Sequence, residues 1–309
     1  MKQEKENKAA EYARMVGKTV STVAGKTKST IEKAGQAAVT ALDATGDGTV
    51  GIDDLIILGM NTPGVKINRE KFLRSELQKS YPKSIIDDAV QRTPALAGIP
   101  REMTDRIADD VIQNERIKVS GISAVLGAPG GAAMAATIPA DIIQYYGYTL
   151  RVAQKLLYLY GFPQIDTSEN ELALDTGTMN TLILCLGVMY GVGGANKALL
   201  AMTQALGRGV ERKLMNTAVT KGAIYPIVKK TAQWFGVRMT KDVFAGFFKK
   251  AIPVVGGLVG GGLTYAAFKP CCEKLKNTLK DTILSNPDAH KNDEAIIIEA
   301  EEVKNAEEN

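Results

Sequence analysis

One histidine, three cysteines and one tryptophan are the whole supply of those residues in this chain. The histidine, His290, stands in an acidic terminal stretch. A lone histidine there rules out a Ser-His-Asp or Cys-His site and any multi-histidine metal site. Cys185 sits in an apolar run, and Cys271 and Cys272 are adjacent, a spacing that does not bridge easily. These three do not build a disulfide framework, which points to a reducing compartment. The first twelve residues, MKQEKENKAAEY, lack the apolar stretch of a signal peptide, so an intracellular protein is expected. Aromatic residues are only 6% of the chain, whereas alanine and glycine are abundant. Such a core packs helices closely through small side chains. No stretch shows the alternation of a strand, and no exact internal repeat is present.

Hydrophobic residues make up 45% and charged residues 23% of 309 positions, the profile of a globular protein. The net charge of +4 says little, but its distribution is polar: the first 33 residues are rich in lysine and the end is rich in glutamate and aspartate. Three segments are apolar, 121–139, 182–206 and 251–268. Each is interrupted by proline, glycine or polar residues, or is near the lower length limit for a membrane span. They are expected as core helices, with membrane insertion as the alternative. Glycines four apart, Gly256 with Gly260 and Gly257 with Gly261, give a smooth face for helix packing in either setting. Neither this cluster nor the one at Gly127, Gly130 and Gly131 has the Lys-Ser/Thr of a phosphate loop.

Along the chain, 9–42 reads as a helix with a thin stripe of small apolar residues opposite Arg14, Lys18, Lys26, Lys28 and Lys33. It is either a solvated helix or an arm for an anionic membrane surface. Residues 68–118 read as three short helices, the first capped by Asn68. Residues 179–206 read as one apolar helix or a pair broken around 191–194. A basic stretch (207–250), a glycine-rich apolar stretch and a closing helix (269–285) follow, and 286–309 reads as a disordered acidic tail. The expected fold is all-α: a small helical EF-hand-like module (1–65), an Ala/Gly-rich bundle-like domain (66–285) and the tail.

The strongest motif is at 43–54, Asp-Ala-Thr-Gly-Asp-Gly-Thr-Val-Gly-Ile-Asp-Asp. Calcium takes six to eight oxygens, which a 12-residue loop supplies from positions 1, 3, 5, 7, 9 and 12. Here these are Asp43, Thr45, Asp47, the Thr49 carbonyl, Gly51 through a water, and Asp54. Gly48 takes position 6, where the chain must turn sharply. Thr45 is a neutral ligand, and Asp54 is one carbon shorter than the usual glutamate, so modest affinity is expected. A second polar block lies at 139–154. Asp141, Tyr145, Tyr148 and Arg151 stand at helical spacing and form a candidate polar pocket.

The stretch LGAPGGAAMAATIPADIIQYYGYTLRVAQKLLYLYGFP, followed later by FFKKAIPVVGGLVGGGLTYAAF, resembles the bacterial EcsC family over residues 95–285. The resemblance implies a bacterial source and membrane association, and no reaction. The calcium loop is not a general mark of that family. Three function classes follow. The leading one is a non-enzymatic, calcium-binding regulatory protein at the cytoplasmic membrane face, partnered by an anionic membrane surface or a membrane protein and not by nucleic acid. The others are an integral or pore-like membrane protein, and an enzyme built around Asp141 and Tyr145.

Overall fold

The computed structural model describes residues 40–127, 131–165, 174–207, 222, 224–238 and 258–287. The expected basic helix upstream of residue 40, most of the basic stretch at 207–250 and the acidic tail lie outside them. All regular structure among the described residues is α-helical. Residues 40–42 close a helical turn, and nine helices follow: α1 (Ile52–Met60), α2 (Arg69–Leu77), α3 (Lys83–Gln91), α4 (Arg101–Gly127), α5 (Gly131–Leu159), α6 (Thr176–Tyr190), α7 (Ala195–Gly207), α8 (Tyr225–Arg238) and α9 (Leu258–Leu279).

Local chemistry explains several boundaries. The Asn68 side chain accepts from the Lys71 amide at 2.9 Å and starts α2, which satisfies one of the free amides of a first turn. Asp175 does the same for α6, accepting from Thr178 N at 3.0 Å. The long apolar run at 182–206 is broken into α6 and α7, because Gly191 takes a left-handed φ of 77° that a β-carbon would disfavour. Helix α6 is buried on nearly every side, from Gly177 to Met189. It packs against α1, α5, α7, α8 and α9, which makes it, with α5, a central element among the described helices.

Helices α4 and α5 form an antiparallel hairpin. Its two arms are joined along their length by Ser123 to Asp141, by Glu115 to Arg151 and Lys155, and by Asp105 to Tyr160 just past the end of α5. Helix α9 lies antiparallel on α4, held by Arg101 with Asp281, Lys276 with Asp109 at 2.6 Å, and Arg116 Nε donating to the Tyr265 carbonyl at 2.6 Å. One apolar cluster runs from Leu42 and α1 through α5 and α6 to Leu284. Leu55 and Ile56 of α1 are wholly buried in it. Each such side chain contributes about 1.5–3 kcal/mol, so α1 is pinned to the larger helical body. Small residues permit this contact: α1 crosses α5 where Gly59 meets Gly147.

Candidate functional site

The loop at 43–54 joins residues 40–42 to α1. Its ends are anchored by Leu42, Val50 and Ile52, all in the core, while 44–49 are exposed. Gly46 and Gly48 turn the chain with φ of 74° and 82°, a conformation that costs other residues about 1–2 kcal/mol. This coil aims successive amides inward. Asp43 collects three of them: Gly46 N at 2.7 Å and Asp47 N at 3.1 Å on Oδ1, and Gly48 N at 2.8 Å on Oδ2.

From the other side Asp54, in the first turn of α1, reaches back across the loop. Its Oδ1 accepts from Thr45 N at 2.8 Å and its Oδ2 from Gly51 N at 2.7 Å, with only 1% of the residue exposed. Asp47 Oδ1 accepts from both the amide and the hydroxyl of Thr49, at 2.8 and 2.7 Å. These bonds hold the Asp47 carboxyl below its ordinary range. Among the described residues, no three His, Cys, Asp or Glu side chains stand close enough together to hold a metal ion. The loop carboxylates are turned onto the loop's own amides.

Asp53, not among the residues assigned from sequence, belongs to this site. Burial pushes its carboxyl up, and repulsion from Asp54 and Asp47 adds to the shift. A β-carbon on Gly51 would collide with Asp53 Oδ1, so glycine at position 9 makes room for that carboxylate. The loop is therefore rich in hard oxygen and negative charge, with the Asp53 carboxyl beside it raised first by burial and then by its neighbours. The residues expected from sequence to hold calcium, Asp43, Thr45, Asp47, Thr49, Gly51 and Asp54, lie on this one loop, with the Asp43, Asp47 and Asp54 carboxylates bonded to its amides.

The four residues of the candidate polar pocket are placed in separate surroundings. Asp141 Oδ1 accepts from Ser123 Oγ at 2.6 Å. Arg151 donates from Nε to Glu115 at 3.1 Å and from its terminal nitrogen to the Gly64 carbonyl. Tyr148 lines a surface groove. Tyr145 packs edge-on to Tyr146 and Phe268, in an aromatic cluster that continues through Tyr190 to Trp234 and Phe235. Burial pushes the Tyr145 phenol up to about 12, so it stays protonated at neutral pH.

The dominant charged centre is Glu115. It is fully buried, with Lys155 at 2.7 Å, Arg151 at 3.1 Å and Lys118 at 3.5 Å from the same oxygen. Burial opposes its charge, but the Lys155 hydrogen bond and the two nearest cations win, and its carboxyl lies below the usual range. Burial pushes the Lys155 ammonium down. Arg151 therefore ties the hairpin to Gly64, in the segment that follows α1. All three cysteines are free thiols, and burial raises each of them. No protein-family model, curated protein or solved structure matches the chain.

Proposed function

We propose that this chain is a non-enzymatic, calcium-binding helical protein, similar to EcsC proteins in its larger domain, that regulates a process at the cytoplasmic face of a membrane. The observation that carries the calcium part is the two-sided loop. Asp43 at its entry and Asp54 in the first turn of α1 close around the same coil of amides, and they hold sequence positions 1 and 12 of a 12-residue calcium loop. Calcium would replace those amides at some of the carboxylate oxygens. It would also relieve the repulsion among Asp53, Asp54 and Asp47.

Because α1 is buried on α5 and α6, its direction is fixed, and stiffening the loop acts mainly on the segment entering at residue 40. In sequence that segment is the basic amphipathic stripe, so calcium would set how the lysine-rich arm meets an anionic surface. The membrane part is supported by that stripe and by the resemblance. Among the described residues, no helix is long and apolar enough to cross a membrane.

The test is a calorimetric calcium titration of the full chain beside Asp43→Ala. Saturable heat in the wild type, lost in the variant, is expected. No heat up to millimolar calcium, with no change in melting temperature, would overturn the reading.

A further inference from the structure

From Val119 to Ala140 the sequence has no ionisable residue; within it, 119–127 end α4 and 131–140 begin α5. Helix α5 runs ten residues from Gly131 before its first charged residue, Asp141, which at helical rise is roughly 15 Å. The hydrocarbon core of a bilayer is about 30 Å thick. A charge-free helical end of this length reaches into one leaflet and cannot cross both.

The surface below the tip fits the same occupant. Val125 is 71% exposed and Ile117 is 55% exposed, both on α4. With Gly121, Ile122, Lys118 and Tyr148 they line an open groove of about 440 Å³ between the hairpin arms. An exposed apolar surface of this kind, edged by Lys118, marks an interaction site. Around its base the chemistry changes to that of a headgroup layer. The Lys118 side chain is 52% exposed, Tyr148 closes the groove and Tyr265 is 41% exposed beside Arg116. Tyrosine and lysine at this level are the residues that settle at a membrane–water boundary. Asp141 would otherwise oppose entry, but its carboxylate is bonded inside the hairpin to Ser123.

We propose that the α4–α5 hairpin end is a monotopic membrane anchor, inserted into one leaflet of an anionic bilayer with Lys118 among the headgroups. This rests on the membrane-face part of the proposed function and not on its calcium part.

The test is flotation of the full-length protein with vesicles of phosphatidylglycerol and phosphatidylcholine, or of phosphatidylcholine alone, each in calcium and in EDTA. Wild type should float with the anionic vesicles in both conditions. Val125→Asp and Ile117→Asp, at exposed positions where folding is undisturbed, should each lower partitioning about tenfold or more. Lys118→Glu should erase the preference for anionic lipid. In a Trp234→Phe background, the new indole of Val125→Trp should be quenched by brominated acyl chains. Flotation that Val125→Asp leaves intact, with no quenching, would overturn the anchor while keeping the membrane-face reading. No flotation with either vesicle would overturn both. Loss of calcium heat alone would touch only the calcium part.

Discussion

Gly59 and Gly147 bring two helix backbones together: a β-carbon on Gly59 would lie 3.3 Å from the Gly147 nitrogen and 2.9 Å from Leu150 Cδ1. This crossing seats the calcium-loop helix α1 on the hairpin helix α5. Gly59→Ala should force α1 outward and destabilise the protein by about 1–3 kcal/mol, read as a lower denaturation midpoint. If calcium acts through α1, the same variant should also weaken calcium-dependent stabilisation. A midpoint equal to wild type would mean that the crossing yields without cost.

The buried Glu115 centre gives a second expectation. Removing one partner of a buried pair leaves the other charge uncompensated, at about 3–5 kcal/mol. Lys155→Met should approach that cost, because Lys155 is the nearest cation to Glu115 and also lies 5.5 Å from the Phe72 ring centre. Glu115→Leu should cost at least as much, since it strands Lys155 and Arg151 together. The double variant should recover much of the loss, which a double-mutant cycle in urea would measure.

The same centre sets an acid response. The folded Glu115 carboxyl lies below its unfolded value of about 4.5. Its contribution is therefore complete above that value and disappears as pH falls through the lower folded one. Melting temperature should drop as pH is taken below about 4.5, and Glu115→Gln should flatten that part of the profile. An unchanged slope would assign acid unfolding to other carboxylates.

Legibility from sequence divides by range. The cap at Asn68 was readable, and the break at Gly191 was readable as one of two alternatives, because each depends on its own few residues. The all-helical class follows from the same local periodicity. The polar block was legible as one stretch of helix but not as a site. Asp141 and Arg151 are ten residues apart, roughly 15 Å along α5, and rotation about the axis sends Tyr145 to the aromatic cluster and Tyr148 to the groove. Glu115 was missed altogether. In QNERIK it reads as one more charge on a solvated helix face, and only the approach of α5, 36 and 40 residues later, buries it. Asp53 was passed over because position 11 of the loop is no standard ligand; its role appears only once Asp54 and Asp47 are beside it.

Arg69 was equally invisible in sequence. Its guanidinium is buried and donates to the carbonyls of Phe162 at 2.9 Å, Val90 at 2.6 Å and Arg92 at 2.9 Å, with Ala89 at 3.3 Å. Three of these carbonyls belong to the end of α3, where a helix exposes its unpaired oxygens and its negative pole. Arg69→Met should strand them and cost about 3 kcal/mol. Arg69→Lys should recover little, because an ammonium cannot reproduce the planar fork. Full rescue by lysine in a thermal melt would show that charge alone suffices there.

The last expectation concerns the length of residue 54. Aspartate there just closes the loop onto Thr45 and Gly51 from the first turn of α1. The two bonds are partly buried, and losing them costs about 1–3 kcal/mol. A glutamate has one more carbon and would overrun both amides, but it offers calcium the bidentate grip that position 12 usually supplies. Asp54→Glu should therefore be less stable than wild type in EDTA and bind calcium more tightly, by about tenfold within the range such loops span. Since calcium bound only to the folded state raises stability with ligand concentration, the two melting curves should cross as calcium is added. Asp54→Asn keeps the length but loses the charge and one acceptor, since its NH2 cannot accept from Thr45 N or Gly51 N, so it should be less stable than wild type in EDTA and, unlike Asp54→Glu, respond weakly to calcium. If Asp54→Glu lowers stability equally with and without calcium, residue 54 is a clasp for the chain and not a ligand.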